Sequence, residues 1–493
     1  MERLIVTNII IILSALAALL AVRWVFHKTL AIAKLKNIVD NPDARKLQKT
    51  AVPVLGGVAV FFGFIFGVFM GCAALTFYGT RPMMDVLPVV MAMMVMIYVG
   101  TIDDIIGMRP RARFFVEIVT VLALIYSSGG CIDSLHGLWG INEFSKLVAV
   151  PLTVFASVGI INSINMIDGV NGLSSGLCIA YCVIFGCAFM LVNDHGNTIL
   201  AFSAAAALLP FFVHNVFGGK TKMFIGDSGT MMLGMLISWF VICLLRSDSR
   251  LIYTTSLYNF NIVALALAIL SVPIADTLRV MVTRMLHGTS PFKPDKKHLH
   301  HAFIQLGVSH AVTTLVEVSI DISIVAIWYI ATVVLGVGFD IQLYVVIAAA
   351  ILFVWGTYFF IQWHSLHHTK FMHWLTHLSL ATQVGEKNWW LAIQRRLDAK
   401  ELVFNNENGI DTTASSVNDR FANIDPNNLK ELDRKKIIDF MKGKAEVFVD
   451  DIKERSGAEA LRVDAILFEE VRDGYVMVVK HGAWGEADIV TLV

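Results

Sequence analysis

The chain alternates long apolar runs with short polar gaps, and each run approaches the ~20 residues that a helix needs to cross a bilayer. Eleven runs can be marked, at about 5–26, 51–77, 86–102, 112–128, 146–161, 173–193, 198–217, 230–246, 261–282, 313–336 and 341–363. They are continuous rather than alternating, which excludes a β-barrel. The pattern predicts an all-α polytopic membrane protein of about eleven transmembrane helices. The run at 112–128 departs most from the pattern, because Arg113 and Glu117 fall at its start. The first run exceeds the ~7–15-residue apolar core of a signal peptide, and basic residues follow it rather than precede it, so it reads as a retained helix.

After about residue 385 the pattern changes. NNENGIDTTASSVNDRFANIDPNN (405–428) reads as a polar linker, and NLKELDRKKIIDFMKGK (428–444) as an amphipathic helix. LRVDAILFEEV and YVMVVKHG flank Asp473-Gly474, a hairpin pattern. Three regions are therefore expected: a transmembrane domain at 1–384, an amphipathic segment and polar linker at 385–428, and a small cytoplasmic α+β domain at 429–493. No catalytic pattern occurs in the last of these.

Composition supports the membrane reading. The chain is 56% hydrophobic with a mean hydropathy of +0.68 and only 16% charged residues, against roughly 25% in soluble domains. Net charge is zero, which argues against a nucleic-acid partner. The six cysteines sit mostly inside apolar runs without a CxxC pair and read as small buried hydrophobes. Basic residues set the orientation. Arg23, Lys28, Lys34, Lys36, Arg45, Lys46 and Lys49 follow the first run. Arg109, Arg111 and Arg113, then Lys220 and Lys222, then Arg284, Lys293, Lys296 and Lys297 occupy alternate gaps after it. These gaps are expected to be cytoplasmic, with the N-terminus outside and the tail inside.

Four polar clusters then fall on that one side, and the outer gaps hold only scattered acids such as Asp133, Asp194, Asp248 and Asp340. IDDIIG puts Asp103 and Asp104 in the gap after the third run. Paired carboxylates there suit a hard cation such as Mg²⁺, a proton acceptor, or simply a solvated helix end. INSINMIDGVNGLSSG spaces Asn162, Asn165 and Asp168 three apart, so that on a helix they would share a face; a helix-breaking loop reads equally well. In KMFIGDSGTMMLG, Asp227 opens a run, where it can cap a helix or hold a metal-bridged diphosphate. KPDKKHLHH places His298, His300 and His301 beside Lys296 and Lys297 in a Pro-bounded loop, a set of donors suited to phosphate oxygens. A second group, His364, His367, His368, His373 and His377, lies among aromatics and reads as a membrane-interface belt. Asp276, Arg279 and Arg284 at the end of the ninth run either pair with one another or hold substrate.

These residues together resemble the polyprenyl-phosphate N-acetylhexosamine-1-phosphate transferases, a family of glycosyltransferase family 4. It includes the bacterial enzymes that start O-antigen, enterobacterial common antigen and teichoic acid linkage units, and the phospho-N-acetylmuramoyl-pentapeptide transferases. The resemblance rests on AVPVLGG (51–57), DD (103–104), NxxNxxDGxxGL (162–173), FIGDSG (224–229), PIADTLRVMVTR (273–284) and PFKPDKKHLHH (291–301), in the family order. Gly107, where the muramoyl branch has a lysine, and HLHH in place of its triple histidine favour the GlcNAc branch.

The resemblance implies attack of undecaprenyl phosphate on the β-phosphorus of a UDP-N-acetylhexosamine, giving undecaprenyl-diphosphate-sugar and UMP. It implies Mg²⁺, with Mn²⁺ as a substitute, and a site on the cytoplasmic face of a bacterial inner membrane. Asp227 and then Asn165 are the implied metal ligands, with Asp103, Asp104 and Asp168 as further catalytic carboxylates. Asp103 or Asp104 would orient or deprotonate the acceptor phosphate. Asn162, Lys49, Arg113, His298, His300 and His301 would bind the nucleotide-sugar phosphates. A second copy of the chain stays open as a partner. The alternatives are the muramoyl-pentapeptide reaction, and a secondary transporter with an intramembrane proton relay.

Overall fold

In the computed structural model, residues 2–40, 51–80, 82–249, 251, 259–291, 297–367, 385, 387–401, 403–405, 409–411, 437, 441, 447–448, 476–480 and 489–492 are described. Lys49, Lys293, Lys296, His368, His373, His377 and the Asp473-Gly474 turn lie outside them. The chain divides into two compact units, Met1–Asp411 and Thr412–Val493.

Helices build the first unit. They are α1 (Glu2–Leu35), α2 (Gly56–Phe77), α3 (Pro82–Ile106), α4 (Pro110–Ser128), α5 (Lys146–Met166), α6 (Leu173–Leu191), α7 (His195–Phe217) and α8 (Gly226–Leu245). After these come α9 (Ile262–Ile269), α10 (Ser271–Leu286), α11 (Leu299–Gln305), α12 (His310–Tyr329), α13 (Phe339–Ala350), α14 (Thr357–Leu366) and α15 (Asn388–Asp398). Short antiparallel strands β1 (Val39–Asp40) and β2 (Val52–Pro53) pair between α1 and α2. β3 (Val403–Asn405) pairs with β4 (Gly409–Asp411). In the second unit, β5 (Val447–Phe448), β7 (Ile489–Leu492) and β6 (Val476–Lys480) form an antiparallel sheet in that order.

Nine helices among the described residues are long and apolar enough to cross a membrane, and ten if α9 and α10 count as one bent span. The expected eleventh, α4, is 19 residues long but carries Arg111, Arg113 and Glu117, more charge than the other nine hold in their apolar stretches. Outward faces keep large apolar side chains exposed, among them Phe66, Leu87, Phe155 and Leu315, as lipid contact allows. Helix α8 is the exception: every residue from Ser228 to Leu245 is buried. A helix apolar on all sides belongs at the centre of the bundle, and α3, α5 and α2 pack around it.

Several boundaries differ from the sequence pattern. The first helix runs to Leu35, so Arg23, Lys28 and Lys34 lie on it rather than in a loop; long basic side chains can extend from a helix end towards water. The ninth run is broken, with α9 and α10 meeting at 75°. Pro273 lies in the first turn of α10, where a continuous helix would lose a hydrogen bond and clash. The freed end is capped from α12: Asp321 accepts from Ser271 Oγ at 3.0 Å and from Val272 N at 3.1 Å.

Candidate active site

Four helix ends converge at one end of the bundle. Asp103 and Asp104 are in the last turn of α3, on the helix rather than in the expected gap after it. Arg113 is in the first turns of α4. Asn162 and Asn165 are in the last turns of α5, again on the helix. Asp227 is in the first turn of α8. The sequence pattern ended α3 and α5 early because polar residues there resemble loop; in the fold they face one another and remain helical.

The Gly56 region and the Gly226 region are stitched together by backbone. Phe224 N donates to Pro53 O at 2.8 Å, Gly56 N to Phe224 O at 2.9 Å, and Gly57 N to Ile225 O at 2.8 Å. This explains why AVPVLGG and FIGDSG belong to one site. Asp104 then closes the end of α8, accepting from Asp227 N at 2.7 Å and Ser228 N at 3.0 Å. Those N–H groups have no acceptor within their own helix, and an anion is favoured there. Gly226 is required between them: its φ is +72°, and a Cβ would overlap the Asp104 carboxylate and the Val54 carbonyl. Both Asp104 oxygens are thus engaged in placing Asp227.

Arg113 is the hub. Its guanidinium donates to Asn162 Oδ1 at 3.2 Å and Asn165 Oδ1 at 3.1 Å. It pairs with Asp103 at 3.4 Å, Glu117 at 3.5 Å and Asp227 at 3.8 Å. Asn165 turns its amide nitrogen to Asp227 Oδ1, at 2.5 Å, and to Thr230 Oγ1, at 2.7 Å. It therefore orients Asp227 as a donor, and its oxygen, expected to face a metal, is taken by Arg113. Asn162 donates to Glu117 Oε2 at 2.6 Å. Asp168 lies past the end of α5, so it does not share the helical face of the two asparagines; it accepts from Ser174 Oγ at 2.5 Å. Burial pushes its pKa up to about 7, the Ser174 bond opposing and the Asp227 charge adding to the rise.

The histidine segment is not the expected loop. His298 stands at the N-cap position of α11 without a side-chain capping bond, and His300 and His301 are in the first turn. His298 Nδ1 is bound to Asp276 Oδ2 at 2.7 Å. His300 is 1% exposed, stacked on His298 at 5.6 Å and 4.4 Å from His301. A Cβ on Gly169 would lie 2.6 Å from His300 Nε2, so His300 packs directly on the INSINMIDG turn. Burial, with His301 and His298 beside it, holds its pKa well below the usual imidazole range, and a neutral ring offers one donor and one acceptor. Lys222 is similarly affected: burial lowers its ammonium to about 8.

Asp103, Asp104, Asp168, Asp227, Asn162, Asn165, Arg113 and His300 are therefore brought together, while His298 is turned to Asp276. Sequence reasoning missed Glu117, Thr230 and Ser174 as members. Glu117 had a readable signal, lying four residues after Arg113 on one helical face. The opposite end of the bundle was also underread. A cavity of about 320 Å³ there gathers Asp85, Asp194, Asn197, Arg246 and Asp248.

Among the described residues no three His, Cys, Asp or Glu side chains converge as a closed metal site. Mg²⁺ uses one or two carboxylates, several waters and substrate phosphates. The donor set fits that need: Asp103 and Asp227 both point at Arg113 Nη1, and 35% of the Asp227 side chain is open to solvent.

The family model for glycosyl transferase family 4 matches residues 86–245. A Pasteurella multocida protein named undecaprenyl-phosphate alpha-N-acetylglucosaminyl 1-phosphate transferase is 34% identical over 288 residues, covering 56% of this chain and 74% of the relative. Proteins of the same name from Yersinia pestis and Escherichia coli K12 are each 28% identical, over 292 and 298 residues, covering 55% and 56% of this chain and 70% and 71% of the relatives.

Proposed function

The chain belongs to glycosyl transferase family 4, in the branch of the N-acetylglucosaminyl 1-phosphate transferases, and on that premise we propose that it moves GlcNAc-1-phosphate from UDP-GlcNAc to undecaprenyl phosphate. It is a phospho-sugar transferase of the membrane. The products would be undecaprenyl-diphosphate-GlcNAc and UMP, formed on the cytoplasmic face of the inner membrane as the first membrane step of a cell-envelope polysaccharide. The observation that carries the reading is the Arg113 hub, which from α4 ties Asp103, Asn162, Asn165 and Asp227 of three other helices into one constellation.

Phosphoryl transfer depends mostly on positioning and charge neutralisation. An oxygen of the lipid phosphate forms a bond to the β-phosphorus, and the bond from that phosphorus to the bridging oxygen breaks, so UMP leaves with the electron pair. A direct in-line displacement needs no covalent enzyme intermediate. Asp103, not committed to the α8 backbone, is the carboxylate that would orient the acceptor phosphate or take its proton. Asp104 fixes Asp227, and Asn165 orients it. Asp227, with Asp103 nearby, would hold Mg²⁺, which when bound supplies neutralisation of the diphosphate charge. Arg113, Lys222 and the half-buried His301 would meet phosphate oxygens, with His300 packed behind it against Gly169 of the Asn/Asp turn.

The test is incubation of membranes containing the protein with undecaprenyl phosphate and radiolabelled UDP-GlcNAc, UDP-GalNAc or UDP-MurNAc-pentapeptide. Lipid-linked label with release of UMP from UDP-GlcNAc is expected. Label from the pentapeptide substrate alone would move the protein to the muramoyl branch, and no lipid-linked label from any donor would overturn the reading.

A further inference from the structure

Asp276 gathers more hydrogen bonds than any substrate-facing carboxylate of the site. Its Oδ1 accepts from Arg279 Nη2 at 2.7 Å, Arg279 Nε at 3.2 Å and Leu299 N at 3.1 Å, and its Oδ2 is bound to His298 Nδ1 at 2.7 Å. The carboxylate is 2% exposed, so it is shielded from any ligand. An ionised carboxylate only accepts, which places the shared proton on His298 Nδ1.

Two of these four donors belong to the start of α11. Leu299 N is one of the N–H groups that α11 cannot satisfy itself, and Asp276 acts on it as a cap supplied by another helix. Arg279 adds a third tie to the same segment. It donates to Lys297 O at 2.5 Å and lies over the Tyr358 ring at 3.4 Å. Residues 297, 298 and 299 are thus held in succession by one Asp–Arg pair on α10. His300 follows directly, stacked on His298 and set against Gly169.

The geometry points to Asp276 as a positioning residue for donor binding: through His298 and Leu299 it sets where His300 stands against the Asn/Asp turn. It touches neither substrate nor metal. The inference rests on the reading that this histidine segment faces the diphosphate of the nucleotide sugar. A carboxylate suits the task because four donors, two of them on one guanidinium, make charge-assisted bonds that leave little play. Asparagine has nearly the same shape but no charge, so it loses the charge-assisted bonds to Arg279, and it can meet His298 Nδ1 only by donating to the opposite ring tautomer.

The experiment is steady-state kinetics of the full-length enzyme in lipid nanodiscs, varying UDP-GlcNAc and undecaprenyl phosphate separately. Asp276→Asn is expected to raise KM for UDP-GlcNAc by about tenfold or more, with KM for the lipid unchanged. His298→Ala is expected to raise the same KM. The double variant is expected to be no worse than the more impaired single variant, because the His298 tie is one of those that Asp276 makes. If Asp276→Asn fails to insert, His298→Ala alone carries the test through its donor KM. Lower kcat at unchanged donor KM in these variants would mark a merely structural role and overturn the inference, as would additive effects in the double variant. Absence of product with the wild-type enzyme would instead refute the transferase reading itself.

Discussion

Replacing Arg113 tests the heart of the site. Arg113→Met keeps the length and apolar stem of the side chain and removes every donor. Two bonds to Asn162 and Asn165, at 3.2 and 3.1 Å, are lost. Hydrogen bonds to a charged group contribute about 1.5–3 kcal/mol each. Arg113 keeps 19% of its side-chain surface exposed, so water can partly replace it, and the low end applies, about 3 kcal/mol for both. The ion pairs to Asp103 and Asp227, at 3.4 and 3.8 Å, are partly solvated and add about 1 kcal/mol together. A total near 4 kcal/mol corresponds to a fall of about 10³ in kcat/KM. Arg113→Lys restores charge but not the fork that reaches two amides, so it should fall between, about 10–100-fold below wild type. The assay is initial-rate transfer of labelled GlcNAc-1-phosphate at matched levels of membrane-inserted protein. Turnover of Arg113→Met within a few-fold of wild type would refute the hub.

Three other outcomes follow from the same geometry. Gly169→Ala puts a methyl 2.6 Å from buried His300 Nε2; an overpacked contact costs about 1–3 kcal/mol, so a ~10–100-fold loss of kcat/KM is expected, measured in the same assay. Lys222, with its pKa lowered by burial to about 8, is charged below that pH and neutral above it. KM for UDP-GlcNAc should therefore rise as pH climbs through about 8, and a pH profile of Lys222→Met should lack that limb. Asp227→Ala should abolish the response of the rate to added MgCl₂ while the protein still inserts, as read by a metal titration on quantified membranes; a retained Mg²⁺ response would remove Asp227 from the metal site.

Much of the site was legible because the chemistry is carried by short runs whose residue types are unusual among apolar neighbours. DD, NxxNxxDG, GDSG and HLHH stand out in a chain that is 56% hydrophobic. Roles within the runs were not legible. Asp103 and Asp104 are adjacent and chemically identical, yet Asp104 is committed to the α8 backbone, while Asp103 accepts from Met108 N and turns its other oxygen to Arg113. His298 and His300 are two residues apart, yet one is tied to Asp276 and the other to Gly169. Asn165 read as a metal ligand, but which amide atom points at Asp227 depends on Arg113 arriving from another helix.

The sequence by itself determined that this is a bundle of membrane-crossing helices with its polar chemistry at one end, because apolar run length and local polarity are properties of neighbouring residues along the chain. Only the tertiary structure decided which carboxylate caps a helix, where the ninth run breaks against Asp321, and how scattered acids such as Asp85, Asp194 and Asp248 gather around a cavity. Hydrogen bonds and ion pairs act over a few ångströms in space, and here they join residues as far apart in the chain as Asp104 and Asp227, a relation that no local pattern encodes.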